Sequence, residues 1–214
     1  MSRQPAVPRP PGASRYAWFV GVALFLAVTY FTVNTFTTNH ASSSGPPVGK
    51  RMPAFAMPLA VGALDGDANV ATRPKQGTAG GRPECQVRGS EILNVCQLWE
   101  RGPVALAFLA TRGAQCEAEL DRLQAISARF PRVQVAAVAI KGDRGELRRD
   151  IRARGWRFPV GYDRDGAVAN LYGVAVCPHI TLADRGGRVR KTLIGSVSTA
   201  RLRAEIGALA RRAN

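Results

Sequence analysis

Histidine is nearly absent from this chain: 214 residues contain two, His40 and His179. The four cysteines include no C-x-x-C pair and no C-x-x-C-H haem-attachment site, so no donor set for a structural zinc is in sight. A protein without metal or cofactor is expected. Acidic residues are also scarce, 15 against 30 basic ones, for a formal net charge of +15. Such a balance raises the question of nucleic acid. Lysine, however, supplies only 4 of the 30 and arginine 26, scattered over the chain without aromatic interleaving. The excess reads as solvated surface, suited at most to anionic headgroups, and no nucleic-acid partner is expected. Internal repeats are lacking too, which leaves one ordinary domain plus an appendage.

Charge is missing altogether from residues 16–36, YAWFVGVALFLAVTYFTVNTF, a run about as long as a bilayer needs. Arg3, Arg9 and Arg15 precede it, and no Lys or Arg follows before Lys50. The positive-inside rule then predicts a cytoplasmic tail over 1–15, a single transmembrane helix over 16–36 held by membrane lipid, and the rest outside the cytoplasm. The run is long for a signal peptide and no A-x-A site follows it, so an uncleaved anchor in the cell membrane is expected. Residues 37–50, rich in Ser, Gly and Pro, read as a flexible linker. A folded domain is expected over 51–214.

Within that domain a short strand is expected over 51–60 and a mobile, turn-prone loop over 72–81. From Pro103 the pattern becomes regular. PVALAFL (103–109) and VQVAAVAI (133–140) are apolar runs of buried-strand length. Between them Cys116, Leu120, Leu123, Ile126 and Phe130 fall on one face of a helix over 116–130. A charged helix over 143–154, a short strand at 158–161, a short helix at 166–172, strands at 180–183 and 189–194, and a helix over 198–211 follow. Alternating strands and helices predict an α/β fold with parallel pairing and a last antiparallel hairpin.

Four stretches in this order resemble the thioredoxin-like redoxins, the family of membrane-anchored extracytoplasmic thiol-disulfide oxidoreductases and their peroxiredoxin relatives (alkyl hydroperoxide reductase/thiol-specific antioxidant). Pro53-Ala54-Phe55 is similar to the first strand. Phe108 to Leu120, FLATRGAQCEAEL, resembles the F-x-A-x-W-C-x-x-C-x-x-E-[LFM] turn. Phe158-Pro159-Val160, Asp163, Asp165-Gly166 and Leu171 to Val174 resemble the approach to the catalytic loop. Cys177-Pro178-His179-Ile180-Thr181 resembles the cis-proline loop, with a hairpin after it. The resemblance covers about 51–210 and implies a thioredoxin-like fold, a central mixed sheet flanked by helices. It also implies Cys116 as the principal reactive residue with Cys177 as its partner. The turn residues Thr111, Arg112 and Gly113, together with Pro178, are the implied substrate contacts. Protein thiols or disulfides, or a peroxide, are the implied substrates.

One departure matters. The first cysteine of the C-x-x-C, the nucleophile in the family, is Gly113 here. Ordinary C-x-x-C chemistry is thereby excluded. Cys85 and Cys96 lie in a segment that shorter thioredoxin folds lack and are expected to form a structural disulfide. For Cys116 and Cys177 three readings stay open. They form a reversible couple; or Cys116 acts alone as a peroxidatic thiol, although Gly113 and Leu109 stand where peroxiredoxins carry threonine and proline; or both are structural. In the last case the domain is a redox-inactive binding or assembly module. A helix start favours a thiolate at Cys116, Glu117 and Glu119 oppose it, and Arg112 is positioned to offset them. His179 is expected on an exposed strand edge.

Overall fold

The computed structural model describes residues 13–37, 44–70, 82–110, 113–140 and 142–212, and the chain divides into two units, Met1–His40 and Ala41–Asn214. In the first unit the apolar run forms helix α1, Ala13–Thr37. Thr29 and Thr32 return their hydroxyls to the carbonyls of Phe25 and Val28, so their polarity is satisfied within the helix. Trp18, Phe19, Leu24 and Phe25 are exposed. Among the described residues no helix is long and apolar enough to cross a membrane. The segment expected to span thus holds a helix, without a span being shown.

The second unit is built on a five-stranded mixed sheet, ordered β6-β5-β4-β7-β8. Its strands are β4 (Val104–Ala110), β5 (Gln134–Ile140), β6 (Val160–Asp163), β7 (His179–Ala183) and β8 (Val189–Ile194). The strands β4, β5 and β6 run parallel, and β7 returns antiparallel beside β4. Alternation along the buried strand β4 divides the core: Ala105, Ala107 and Leu109 face one side, Val104, Leu106 and Phe108 the other. Helices α3 (Ala114–Ser127), α4 (Arg144–Arg154) and α6 (Thr199–Arg211) bring Leu120, Leu123, Leu147, Leu202 and Ile206 to the first side. Each such fully buried aliphatic side chain contributes about 1.5–3 kcal/mol of hydrophobic stabilisation. Helix α4 starts where Asp143 caps the backbone N–H of Glu146 and stops at Gly155, left-handed at φ 62°.

The other side carries a second layer, of which the sequence disclosed only the strand expected within 51–60. Strands β1 (Phe55–Pro58), β2 (Asn69–Val70) and β3 (Ile92–Asn94) form a small antiparallel sheet, followed by helix α2 (Val95–Arg101). Asn94 organises it. Its amide oxygen accepts from the N–H groups of Cys96 and Gln97, and its amide nitrogen donates to the carbonyls of Glu84 and Val87. Helix α5 (Ala167–Leu171) completes this side, its first N–H groups held by the buried Asp163 carboxylate. Asp163 therefore does more than shape a turn. The loop expected at 72–81 lies outside the described residues.

Candidate active site

The site forms where β4 ends and α3 begins. Gly113 is the N-cap of α3 and offers no side chain to cap it; its carbonyl accepts from Cys116 N–H at 2.7 Å and from Glu117 N–H at 3.1 Å. A Cβ added at Gly113 would lie 2.9 Å from the Cys116 sulfur and 3.1 Å from the Ala110 carbonyl oxygen. Glycine there leaves room for the sulfur to lie against the backbone. Cys116 itself is 5% exposed and packs with Leu120 and Leu123.

Facing it is the loop before β7. The Cys177–Pro178 peptide is cis, and the Pro178 carbonyl accepts from Gly195 N–H at 2.8 Å, which ties the loop to the end of β8. Cys177 is partly buried, preceded by the exposed Ala175 and Val176. Its sulfur lies 3.3 Å from the Phe108 carbonyl oxygen. Cys116 and Cys177, 61 residues apart, are joined by a disulfide with their Cα atoms 5.6 Å apart, within the usual range for such a bond. Cys85 and Cys96 form a second disulfide, Cα to Cα 5.3 Å, against the opposite side of the sheet. Among the described residues no cysteine is free. Thr111 and Arg112 lie outside the described residues.

The charges around Cys116 are arranged by helices distant in sequence. Glu117 pairs with Arg154 of α4, which also donates to Asp121 at 2.7 Å. Trp156 Nε1 donates to the same Asp121 carboxylate at 2.7 Å. Glu119, one turn beyond Cys116, is fully buried. Its Oε2 pairs with Arg122, while Oε1 has no hydrogen-bond partner among the described residues. Burial holds its carboxyl above the usual carboxylate range, against the pull of Arg122. The repulsion expected from Glu117 and Glu119 is thus offset by Arg154 and Arg122, the first of which lies 37 residues away. The buried state of Glu119 had a sequence signal: in the heptad of α3 it sits beside Leu120 and Leu123 rather than on the outer face.

His179 is not at an exposed edge. Strand β7 pairs with β4 through Phe108 and with β8 through Ile194, so the ring is enclosed. It meets Phe108 edge to face at 5.4 Å, its Nε2 is 3.5 Å from Thr181 Oγ1, and its Nδ1 has no partner among the described residues. Burial lowers its pKa to about 4. It is a neutral core residue at neutral pH. Trp99 and Trp156 are buried as packing residues, and among the described residues no cluster of His, Cys, Asp or Glu can hold a metal.

Comparison with known proteins agrees with this geometry. A sequence model of the AhpC/TSA family matches residues 84–194. The thiol-disulfide oxidoreductase ResA of Oceanobacillus iheyensis is 29% identical over 113 residues, 52% of this chain and 59% of its own. ResA of Geobacillus thermodenitrificans is 28% identical over 97 residues, 44% of this chain and 56% of its own. The chain therefore spans a little over half the length of these curated relatives. A solved structure from Chlorobium tepidum, described as a thiol:disulfide interchange protein DsbE, superposes with a TM-score of 0.59 at 20% identity. It covers 77% of this chain and 98% of its own. The fold is thioredoxin-like, α/β with a mixed sheet.

Proposed function

The chain belongs to the AhpC/TSA family, and from that premise we propose that its larger unit is a thiol-disulfide exchange domain working through reversible opening of the Cys116–Cys177 disulfide. The observation that carries this reading is the joining of two sulfurs from distant segments, one at a helix start and one on a partly exposed loop before a cis-proline. Gly113 stands for the family's first cysteine, and Cys177 supplies the missing sulfur from the other side of the site. Protein thiols and disulfides are the substrates, as the names of the ResA relatives suggest for those proteins. Exchange is favoured over peroxide reduction because Cys116, the position a peroxidatic thiol would need open, is 5% exposed and engaged with Cys177. Gly113 and Pro178 are the proposed substrate contacts within the described residues, and Thr111 and Arg112 are proposed with them from the sequence resemblance alone.

The domain works outside the cytoplasm, anchored in the membrane by the uncharged segment 16–36 behind Arg3, Arg9 and Arg15. Two disulfides in one domain suit an oxidising compartment. Extraction of the full chain from membranes by alkaline carbonate alone would remove the anchor.

The exchange reading is tested by counting thiols in the folded protein during titration with dithiothreitol. Two thiols are expected to appear and disappear reversibly, assigned to Cys116 and Cys177 by alkylation and mass spectrometry, with Cys85–Cys96 resisting. If the Cys116–Cys177 bond opens only on unfolding, the domain is a redox-inactive binding module with structural cysteines.

A further inference from the structure

The two sulfurs of the pair are not equivalent, and the geometry points to Cys177, on the proline loop, as the sulfur that substrates bond to, with Cys116 as the buried leaving group. This rests on the exchange reading above and assigns its direction.

Two independent features of the site agree on it. The first is access. Cys116 is 5% exposed and its sulfur lies beneath Gly113, whereas Cys177 is partly open and follows Val176, itself 50% exposed. The second is the fate of the electron pair. Exchange goes faster when the departing sulfur holds negative charge well. Cys116 sits in the first turn of the 14-residue helix α3, where the dipole of the helix start favours a thiolate even with the Cys116 and Glu117 N–H groups held by the Gly113 carbonyl. Its acidic neighbour Glu117 is already paired with Arg154. Cys177 has the opposite surroundings: the Phe108 carbonyl oxygen, 3.3 Å away, faces its sulfur with a partial negative charge. A neutral thiol can donate to that carbonyl, while a thiolate is repelled by it. Access and charge could have disagreed, and they do not.

The step balances as follows. A thiolate of a protein dithiol attacks Cys177 Sγ; the S–S bond to Cys116 breaks, and its electron pair leaves on Cys116 Sγ. The substrate is now held to Cys177 by a mixed disulfide. Its second thiol gives a proton to solvent and attacks the substrate sulfur of that bond, so the substrate disulfide forms and Cys177 departs as a thiolate that takes up a proton. The substrate loses two electrons and the pair gains them. In the reverse direction Cys177 attacks a substrate disulfide and Cys116 resolves the mixed species. Compared with a C-x-x-C turn, in which the attacking sulfur stands at the position of Gly113, the covalent tether has moved from the helix turn to the proline loop.

The test uses the full chain carrying Cys116→Ser or Cys177→Ser, each treated with glutathione disulfide and followed by intact mass, with rates normalised to the same variant in denaturant. Neither variant can resolve a mixed disulfide, so whatever forms accumulates. Cys177 in the Cys116→Ser protein is expected to be glutathionylated at least about ten-fold faster, relative to its denatured control, than Cys116 in the Cys177→Ser protein. Equal rates, the reverse order or inert thiols in both overturn the assignment. Dithiothreitol titration of the unsubstituted protein separates the two levels. If the pair opens reversibly but Cys177 is not the faster thiol, exchange stands and only its direction falls. If the pair does not open in the folded protein, both fall.

Discussion

Acid should weaken this domain through one buried imidazole. His179 is enclosed between Phe108 and the flanking strands, and burial lowers its pKa from the ordinary 6.5 to about 4. Above pH 6.5 the ring is neutral in both states and costs nothing. As pH falls below that value the unfolded chain takes up a proton that the native state refuses, so stability is lost until the native ring also protonates near pH 4. At about 1.4 kcal/mol per pKa unit the full loss is about 3 kcal/mol, of which about 2 kcal/mol is reached by pH 5. For a domain of this size that is a fall in Tm of roughly 4–8 °C. Glu119 and Asp163 act in the opposite sense, because burial raises their carboxyl pKa values and lets the native state bind protons more readily. The His179 contribution is therefore the difference between the unsubstituted protein and His179→Leu, each unfolded by urea at several pH values from 7 to 4. Between pH 7 and pH 5 the unsubstituted protein should lose about 2 kcal/mol relative to His179→Leu. Parallel curves would refute the reasoning. A second readout needs no variant: the His179 imidazole resonance should stay that of a neutral ring down to about pH 4.

Gly113→Ala places a methyl 2.9 Å from the Cys116 sulfur. It should cost about 1–3 kcal/mol in the oxidised protein and less once reduction frees that sulfur to move; equal Tm losses in the two states would show that the contact is unimportant. Removing the second disulfide with Cys85→Ala and Cys96→Ala, 11 residues apart, should lower stability by about 3 kcal/mol while leaving dithiothreitol titration of Cys116 and Cys177 unchanged. Asn94→Ala breaks four hydrogen bonds at the start of α2, and of the two carbonyls it served Glu84 keeps the Val87 N–H while Val87 loses its amide donor. A loss of about 3 kcal/mol in urea unfolding is expected, and a loss below about 1 kcal/mol would mean that water replaces the amide.

Much of the sheet was legible in advance because its signals are local. The runs at β4 and β5 are apolar over a full strand length, and α3 repeats its apolar residues with helical period, so each element declares its own buried face. Of the small sheet only β1 was legible, within the strand expected over 51–60. The two- and three-residue strands β2 and β3 and the seven-residue helix α2 carry too few periods to be read, and their burial depends on covering Phe108 and Tyr172 from the far side. His179 shows the same limit. Its neighbours along the chain suit an edge, and only antiparallel entry of β7 between β4 and β8 encloses it.

The site divides in the same way. Sequence alone determined that a redoxin-like turn lacks its first cysteine at Gly113, that a cysteine precedes the loop proline, and that Cys85 and Cys96 are close enough along the chain to pair. Those are properties of residue identity and spacing. Tertiary structure decided that Cys116 meets Cys177 across 61 residues, that Arg154 of α4 answers Glu117 of α3, and that Cys116 is buried while Cys177 is only partly so. The physical reason is that a bond, an ion pair and an exposure each depend on distance in space. Packing α3 and the proline loop at the end of β4 sets those distances, and no local pattern encodes them.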